Sequence, residues 1–366
     1  LLGKRRGNSA ERENTKTGAP RLGGILGHQR RAKIAAAKGE AMVLVTGGTG
    51  LLGRGLVAHL VERGERVRVL HRGAPSGPGE PVRGDVTDPA SLEAAVRGVA
   101  IVYHLAAQVD HAAPAAELDR VNVGGTVNVT EAAARAGVGR LVHCSTVSAE
   151  PGGGTTEYGR SKIRAEQALM GYAGRLATVV VRPGPIYCED RPTLRRAVRW
   201  ARRTRLWGVL VPDLTVHVAS RRNAVEALAL AAERGAPGAA YVACDARPVA
   251  RSVLSRIVAE KTGAVALPLP VPLLSPLLAL AALAAEGFAG LTGGRPRLTR
   301  RYLRVLTRER RYDTSRAERE LGYRPNPTQV DFAETVDRCL APRTLRPGGA
   351  GRARAARRRP TPPGGR

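Results

Sequence analysis

From Met42 onward, short apolar runs alternate with segments whose apolar positions recur at helical spacing, which predicts a parallel sheet covered by helices. Strands are expected near 42–46, 67–70, 101–105, 140–145 and 177–182, with a shorter one near 81–83. Helices are expected over 51–63, 89–97, 115–136 and 158–173, the first closed by Gly64 as its C-terminal cap. The fold class is therefore α/β, a doubly wound parallel sheet with a smaller C-terminal substrate-binding region. Beyond about residue 185 the alternation breaks down, leaving 222–234 as one more helix and 240–243 as one more strand.

Residues 263–285 carry no charge and are nearly all apolar, which raises the question of a membrane span. Pro268, Pro270, Pro272 and Pro276 prevent regular helix over the first half. About 9–15 helical residues remain after Leu277, fewer than the roughly 20 a crossing needs. The stretch is expected to form a pocket wall or core, with peripheral membrane contact through 263–291 as the alternative.

Charge changes the picture less than its size implies. The 366-residue chain has a formal net charge of +28, which by itself points to nucleic acid or an acidic membrane surface. More than half of it lies in the ends: residues 1–41 hold ten Lys/Arg against three Glu, and residues 341–366 hold eight Arg and no acid. Both ends are poor in large apolar side chains, so they are expected to be disordered basic segments flanking a 42–185 core and a 186–340 substrate-binding region with elements returning to the core. Met42 stands directly before the first strand, which raises the expectation that residues 1–41 lie upstream of the natural start. No specific nucleic acid is expected, because the aromatic interleaving that stacks bases is missing. Cys144, Cys188, Cys244 and Cys339 lie far apart, so neither a metal site nor a disulfide framework is expected. With no secretory leader pattern at the start, the expected setting is cytoplasmic, with membrane association as the alternative.

The candidate chemistry begins where the first strand runs into Gly47, Gly48, Thr49, Gly50, Leu51, Leu52 and Gly53, followed at once by a helical pattern. Glycines so placed allow a tight turn, close backbone approach to a pyrophosphate on the helix N-terminus, and close helix-to-strand packing, which makes the sheet Rossmann-type. The second strand ends in Leu70, His71 and Arg72, with no acid to accept from a ribose 2′-hydroxyl. A guanidinium there would pair with a 2′-phosphate, so NADP is expected over NAD. Asp85 and Val86, after the next strand, are placed to reach the adenine.

Tyr158 and Lys162 stand four apart, hence on one face of a helix. The chain has six lysines, four of them in the first 41 residues, so a lysine here among so many arginines indicates a role that Arg cannot fill. An ammonium beside a phenol favours the phenolate and would tune Tyr158 for proton transfer near neutral pH. Ser145 and Thr146, at the end of a strand, offer hydroxyls for a reacting carbonyl.

Together with the run His104 to Ala107, Asn122 before Gly125-Thr126, Arg182-Pro183-Gly184 and Leu321-Gly322-Tyr323, these residues resemble the extended short-chain dehydrogenase/reductases over about 42–340. The layout is most similar to the 3β-hydroxysteroid dehydrogenase branch. The resemblance implies Tyr158 as acid/base, Lys162 as its tuner and Thr146 as the substrate hydroxyl, with Ser145 and Asn122 beside them. It implies Leu105, Ala106, Ala107 and Pro183 as cofactor-lining residues. The expected function is hydride transfer between NAD(P) and a secondary alcohol or ketone of an apolar, steroid-like substrate, by a monomer or homodimer. The alternatives are a nucleotide-sugar epimerase or dehydratase, and a non-catalytic dinucleotide sensor. His217-Val218 is followed by Ala219 and Ser220 where that family usually has an acid or amide, a departure on the substrate side.

Overall fold

The computed structural model describes residues 41–73, 77–110, 113–150, 156–211, 213–270, 276, 279–285, 287, 309 and 311–342. Both basic ends and most of 271–308 lie outside them.

In chain order the strands are β1 (Met42–Thr46), β2 (Arg66–His71), β3 (Glu80–Arg83), β4 (Val99–His104), β5 (Arg140–Cys144), β6 (Ala177–Pro183), β7 (Ile186–Tyr187), β8 (Leu206–Val211), β9 (Thr215–Val216), β10 (Ala219–Ser220), β11 (Ala240–Ala243), β12 (Val249–Ala250) and β13 (Val265–Pro270). The helices are α1 (Leu51–Glu62), α2 (Pro89–Val96), α3 (Ala115–Leu118), α4 (Gly125–Arg135), α5 (Glu157–Met170), α6 (Pro192–Thr204), α7 (Arg221–Arg234), α8 (Arg251–Thr262) and α9 (Thr328–Leu340). A π-helical turn, Asp119–Gly124, joins α3 to α4.

Seven strands form one parallel sheet in the order β11-β6-β5-β4-β1-β2-β3. The order reverses between β1 and β4, which opens a crevice at their carboxyl ends where ligands of such sheets bind. Every residue of β1 is buried, as expected for a strand covered on both faces. Val43 and Val45 point into the cluster holding Leu56 and Leu60 of α1 and Leu228 of α7, whereas Leu44 points into the one holding Leu92, Val129 and Leu169 of α2, α4 and α5. Each such leucine contributes roughly 1.5–3 kcal/mol by leaving water. A third cluster, with Val198, Ala201, Val258, Phe332 and Val336, ties α6, α8 and α9 together beside the sheet.

The main sheet and its helices follow the predicted elements within a few residues. The region after residue 185 contains elements the periodicity did not show: α6, α8, α9 and the parallel pair β8–β13. No helix among the described residues is long and apolar enough to cross a membrane.

Candidate active site

The glycine loop closes on itself. Gly47 has φ +71°, a conformation that an L side chain rarely adopts, and a Cβ there would lie 2.6 Å from the Ala106 amide nitrogen. A Cβ on Gly53 would lie 2.1 Å from the Gly47 carbonyl oxygen, and one on Gly48 would lie 2.7 Å from Val69. The turn is held by the Gly50 N–H donating to the Gly47 carbonyl at 2.9 Å. Gly50 also starts α1 with no side-chain cap and no acid in the first turn, so the orphan amides and the positive end of the helix face outward for an anion.

Beside this loop, a buried polar chain locks the ends of β1 and β4. The Thr46 hydroxyl lies 2.7 Å from His104 Nδ1 and accepts from the Ala106 N–H at 3.2 Å. His104 Nε2 lies 3.0 Å from the Thr126 hydroxyl, which donates to the Asn122 carbonyl at 2.6 Å. Burial, reinforced by the Lys162 charge, holds His104 down to about 3, so it is neutral at all ordinary pH. With Thr46 donating to Nδ1 and Nε2–H donating to Thr126, every group in the chain is satisfied, and Leu105, Ala106 and Ala107 are fixed against the glycine loop.

At the far end of the crevice, exposed Arg72 approaches Asp85 at 3.9 Å. Asp85 in turn accepts from the Thr87 N–H and hydroxyl, each at 2.9 Å, and these bonds hold its carboxyl below the usual range. Val86 is buried against Gly125, and its carbonyl accepts from the Asn128 amide at 3.0 Å.

The proton-transfer residues sit on and beside α5. Thr156 caps the helix, accepting from the Gly159 N–H at 2.8 Å, which sets Tyr158 in its first turn. Lys162 is only 1% exposed and donates to the Cys144 carbonyl at 2.8 Å, with His143 Nε2 at 3.0 Å. Burial lowers the Lys162 ammonium to about 8, although Cys144 and Glu166 oppose the shift. Burial also pushes the Tyr158 phenol well above its usual value. The expected lowering of Tyr158 by Lys162 is therefore corrected for this state: the ammonium is engaged with β5, and the phenol stays protonated. Pro183 is buried at the end of β6, paired with Ala243 of β11.

Two other expectations are also corrected. Ser145 is buried and donates to Glu166, which also binds Arg182 at 2.6 Å, so its hydroxyl is not presented to a substrate. Asn122 is buried and hydrogen-bonded within the protein. Its amide donates to the Ser161 hydroxyl at 2.9 Å and the Gln108 carbonyl at 3.1 Å, and its oxygen accepts from the Gln108 N–H at 2.8 Å. It is a brace between the loop after β4 and α5. Thr146 is half-buried and accepts from the Ser148 N–H at 3.2 Å, which leaves its O–H proton for another acceptor.

Sequence reasoning missed His143, Glu166 and Gln108. The signal for His143 was a polar residue inside an otherwise apolar strand; Glu166 stands one turn beyond Lys162 on α5.

Comparison with known proteins decides what this arrangement belongs to. Residues 43–211 match the NAD dependent epimerase/dehydratase family. The chain is 32% identical over 305 residues to the 4-hydroxy-2-methyl-3-oxo-4-farnesyl-3,4-dihydroquinoline-1-oxide ketoreductase of Stigmatella aurantiaca, covering 76% of this chain and 90% of that one. The chain belongs to the NAD dependent epimerase/dehydratase family. Within it, another similar protein is the 3 beta-hydroxysteroid dehydrogenase/Delta 5-->4-isomerase of Mycobacterium tuberculosis, 32% identical over 256 residues, 60% of this chain and 69% of that one. The solved structure of gox2253 superposes with a TM-score of 0.63 at 28% identity, over 81% of this chain and 97% of that one. As an oxidoreductase of the epimerase/dehydratase family, the protein has an NAD(P)-binding fold. Its residues fit that group, since backbone is left bare at Gly47, Gly48 and Gly53 where a side chain would collide and a diphosphate must approach.

Proposed function

We propose that this protein is an NAD(P)-dependent reductase or dehydrogenase that interconverts a ketone and a secondary alcohol on an apolar, steroid-like substrate. The observation that carries the reading is Lys162, a buried cation one helical turn after Tyr158, in a chain whose first strand opens into the bare glycine cradle. NAD(P), when bound, supplies or accepts the hydride. The cradle of Gly47 to Gly53 holds its diphosphate, Asp85 and Val86 its adenosine, and Leu105 to Ala107 and Pro183 line it. Arg72, exposed and only loosely paired with Asp85, favours a 2′-phosphate and hence NADP.

The chain's own residues move the proton. In reduction, the protonated Tyr158 gives its phenolic proton to the carbonyl oxygen while the Thr146 O–H holds that oxygen by a hydrogen bond. In oxidation Tyr158 must first be a phenolate, which the positive ring of a bound cofactor would favour and to which the Lys162 ammonium would contribute only on leaving its contacts with β5. The substrate's apolar character is supported by the ketoreductase and steroid dehydrogenase relatives.

The experiment is NADPH- and NADH-dependent reduction of hydrophobic ketones, steroids included, by wild type, Tyr158→Phe and Arg72→Ala. The expected result is turnover that Tyr158→Phe lowers by roughly 10²–10⁴, with Arg72→Ala removing a preference for NADPH. Folded protein that binds neither dinucleotide overturns the reading. Epimerisation or dehydration of a nucleotide sugar without net cofactor turnover replaces it with the alternative on the same fold.

A further inference from the structure

The surface formed by α6, β8 and β13 lies beside the central sheet and has no part in the site described above. Leu206, Val265, Leu267 and Leu269 are exposed on it, Val265 to 61%. The register pairs Val265 with Leu206, Leu267 with Gly208 and Leu269 with Leu210, so these alternate positions of β13 share one face with Leu206. The end of α6 adjoins them, because the Val265 N–H donates to the Arg205 carbonyl at 2.7 Å immediately after that helix.

On α6, Arg196, Trp200 and Arg203 fall at i, i+4 and i+7 and share the solvent side, opposite buried Val198 and Ala201. Trp200 is 53% exposed. The helix carries five arginines and no acid, and among the described residues no salt bridge joins any of them to a carboxylate. Guanidiniums on either side of an exposed indole, with a strip of exposed aliphatic side chains that begins just after the same helix, complement one kind of surface: the anionic headgroup region of a bilayer, where arginine meets phosphate and tryptophan sits at the boundary with the acyl chains.

Strand addition by a second protein is disfavoured by the same strand. The Val265 N–H points toward β8, so N–H groups alternate with residues 265, 267 and 269 facing β8. Pro268 and Pro270 stand where the outward N–H groups would be, and they blunt the free edge.

We propose that the α6–β8–β13 face docks the protein onto anionic lipid bilayers. Of the chain's two tryptophans, Trp200 is exposed on α6, whereas Trp207 of β8 packs inward against the cluster of Val198, Val258 and Phe332, so a change of emission on binding reports on Trp200. The test mixes the full chain with vesicles of phosphatidylcholine alone or with about one third phosphatidylglycerol, following flotation and tryptophan emission. The expected result is flotation with the anionic vesicles accompanied by a blue shift, both weakened by half-molar salt.

Arg196→Glu with Arg203→Glu, and separately Leu267→Asp, are expected to lower vesicle affinity at least tenfold while leaving circular dichroism and thermal unfolding unchanged. The double charge reversal lies on exposed helix surface, so it keeps the test open if Leu267→Asp fails to fold. Flotation without any emission change, or flotation undiminished in these variants, assigns the binding to the basic ends and overturns the proposal. So does a concentration-dependent dimer whose emission ignores vesicles, which would assign the face to a second copy.

Discussion

Lys162 sits in a place where a charge is costly, held by a ring nitrogen and a backbone carbonyl rather than by a direct carboxylate. Its pKa is lowered to about 8 from an ordinary 10.5. A base whose pKa is lower in the folded state destabilises the fold while charged. That penalty is present below pH 8 and disappears as pH rises toward 10.5, so stability conferred through this group rises across that window. Lys162→Met keeps the side chain's bulk and removes the charge. It is expected to leave the protein unchanged or up to about 2 kcal/mol more stable at pH 7, and to abolish the rise in unfolding free energy between pH 8 and 10. Turnover should fall by roughly 10²–10⁴. Urea unfolding at several pH values, paired with the reductase assay, checks both. A variant much less stable than wild type would make the lysine structural. The same titration predicts that kcat/KM in wild type declines above pH 8, as the free protein loses the ammonium.

At the scale of elements, the glycine loop shows how closely strand and helix must approach. Gly53→Ala would set a Cβ 2.1 Å from the Gly47 oxygen and 2.7 Å from Gly48 Cα, both backbone, so α1 must move off the loop. A Cβ on Gly50 would meet only the Gly47 oxygen, at 3.2 Å. Calorimetric titration with NADP(H) should therefore show Gly53→Ala weakening binding at least tenfold, with a stability loss of about 1–3 kcal/mol, and Gly50→Ala weakening it much less. Equal effects would mean that the loop adapts as a whole. This loop and the strands before residue 185, the exposed edge strand β3 apart, were legible because both faces of a parallel sheet are buried, which writes continuous apolar runs into the sequence. The pair β8–β13 was not legible for the opposite reason. Among the described residues each strand's ladder partner is the other alone, much of their surface is exposed, and Pro268 and Pro270 read as breakers. They are tolerated because their missing N–H groups point away from β8. On α6 the few buried positions are outnumbered by arginines. The roles of Ser145 and Asn122 were hidden too, since Glu166 and Gln108 reach them only through the fold.

For the whole molecule, the question is what fastens the part after residue 185 to the sheet. The fastening centres on Asp245, fully buried just beyond β11. Its carboxylate accepts from the Ser220 N–H and the Asn223 amide at 2.7 Å each, and from the Tyr187 hydroxyl at 3.0 Å. Asn223 also donates to the Asn326 carbonyl at 3.0 Å and accepts from the Asn326 N–H at 3.0 Å, just before α9, while the Ser220 hydroxyl donates to Asp331 within α9 at 2.5 Å. One carboxylate thus joins β7, the start of α7 and the end of the central sheet, and reaches α9 through Asn223. This is where the residues after His217-Val218 depart from the family's usual acid or amide, and the structure uses them as a joint. Asp245→Ala removes the acceptor from three buried donors, leaving the Ser220 N–H unsatisfied, the Asn223 amide with the Asn326 carbonyl alone and the Tyr187 hydroxyl with only a long bond to the Thr328 carbonyl at 3.3 Å. The expected loss is about 3–5 kcal/mol of unfolding free energy, a cost no surface substitution in this chain should approach. Because the glycine cradle lies on the opposite side of β4 and β5 in the sheet order, NADP(H) affinity of the fraction that remains folded should change little. Thermal unfolding followed with and without saturating NADP(H) separates the two effects: a lowered midpoint with the cofactor-induced rise preserved places Asp245 in the joint, whereas loss of that rise would tie the joint to the cofactor site.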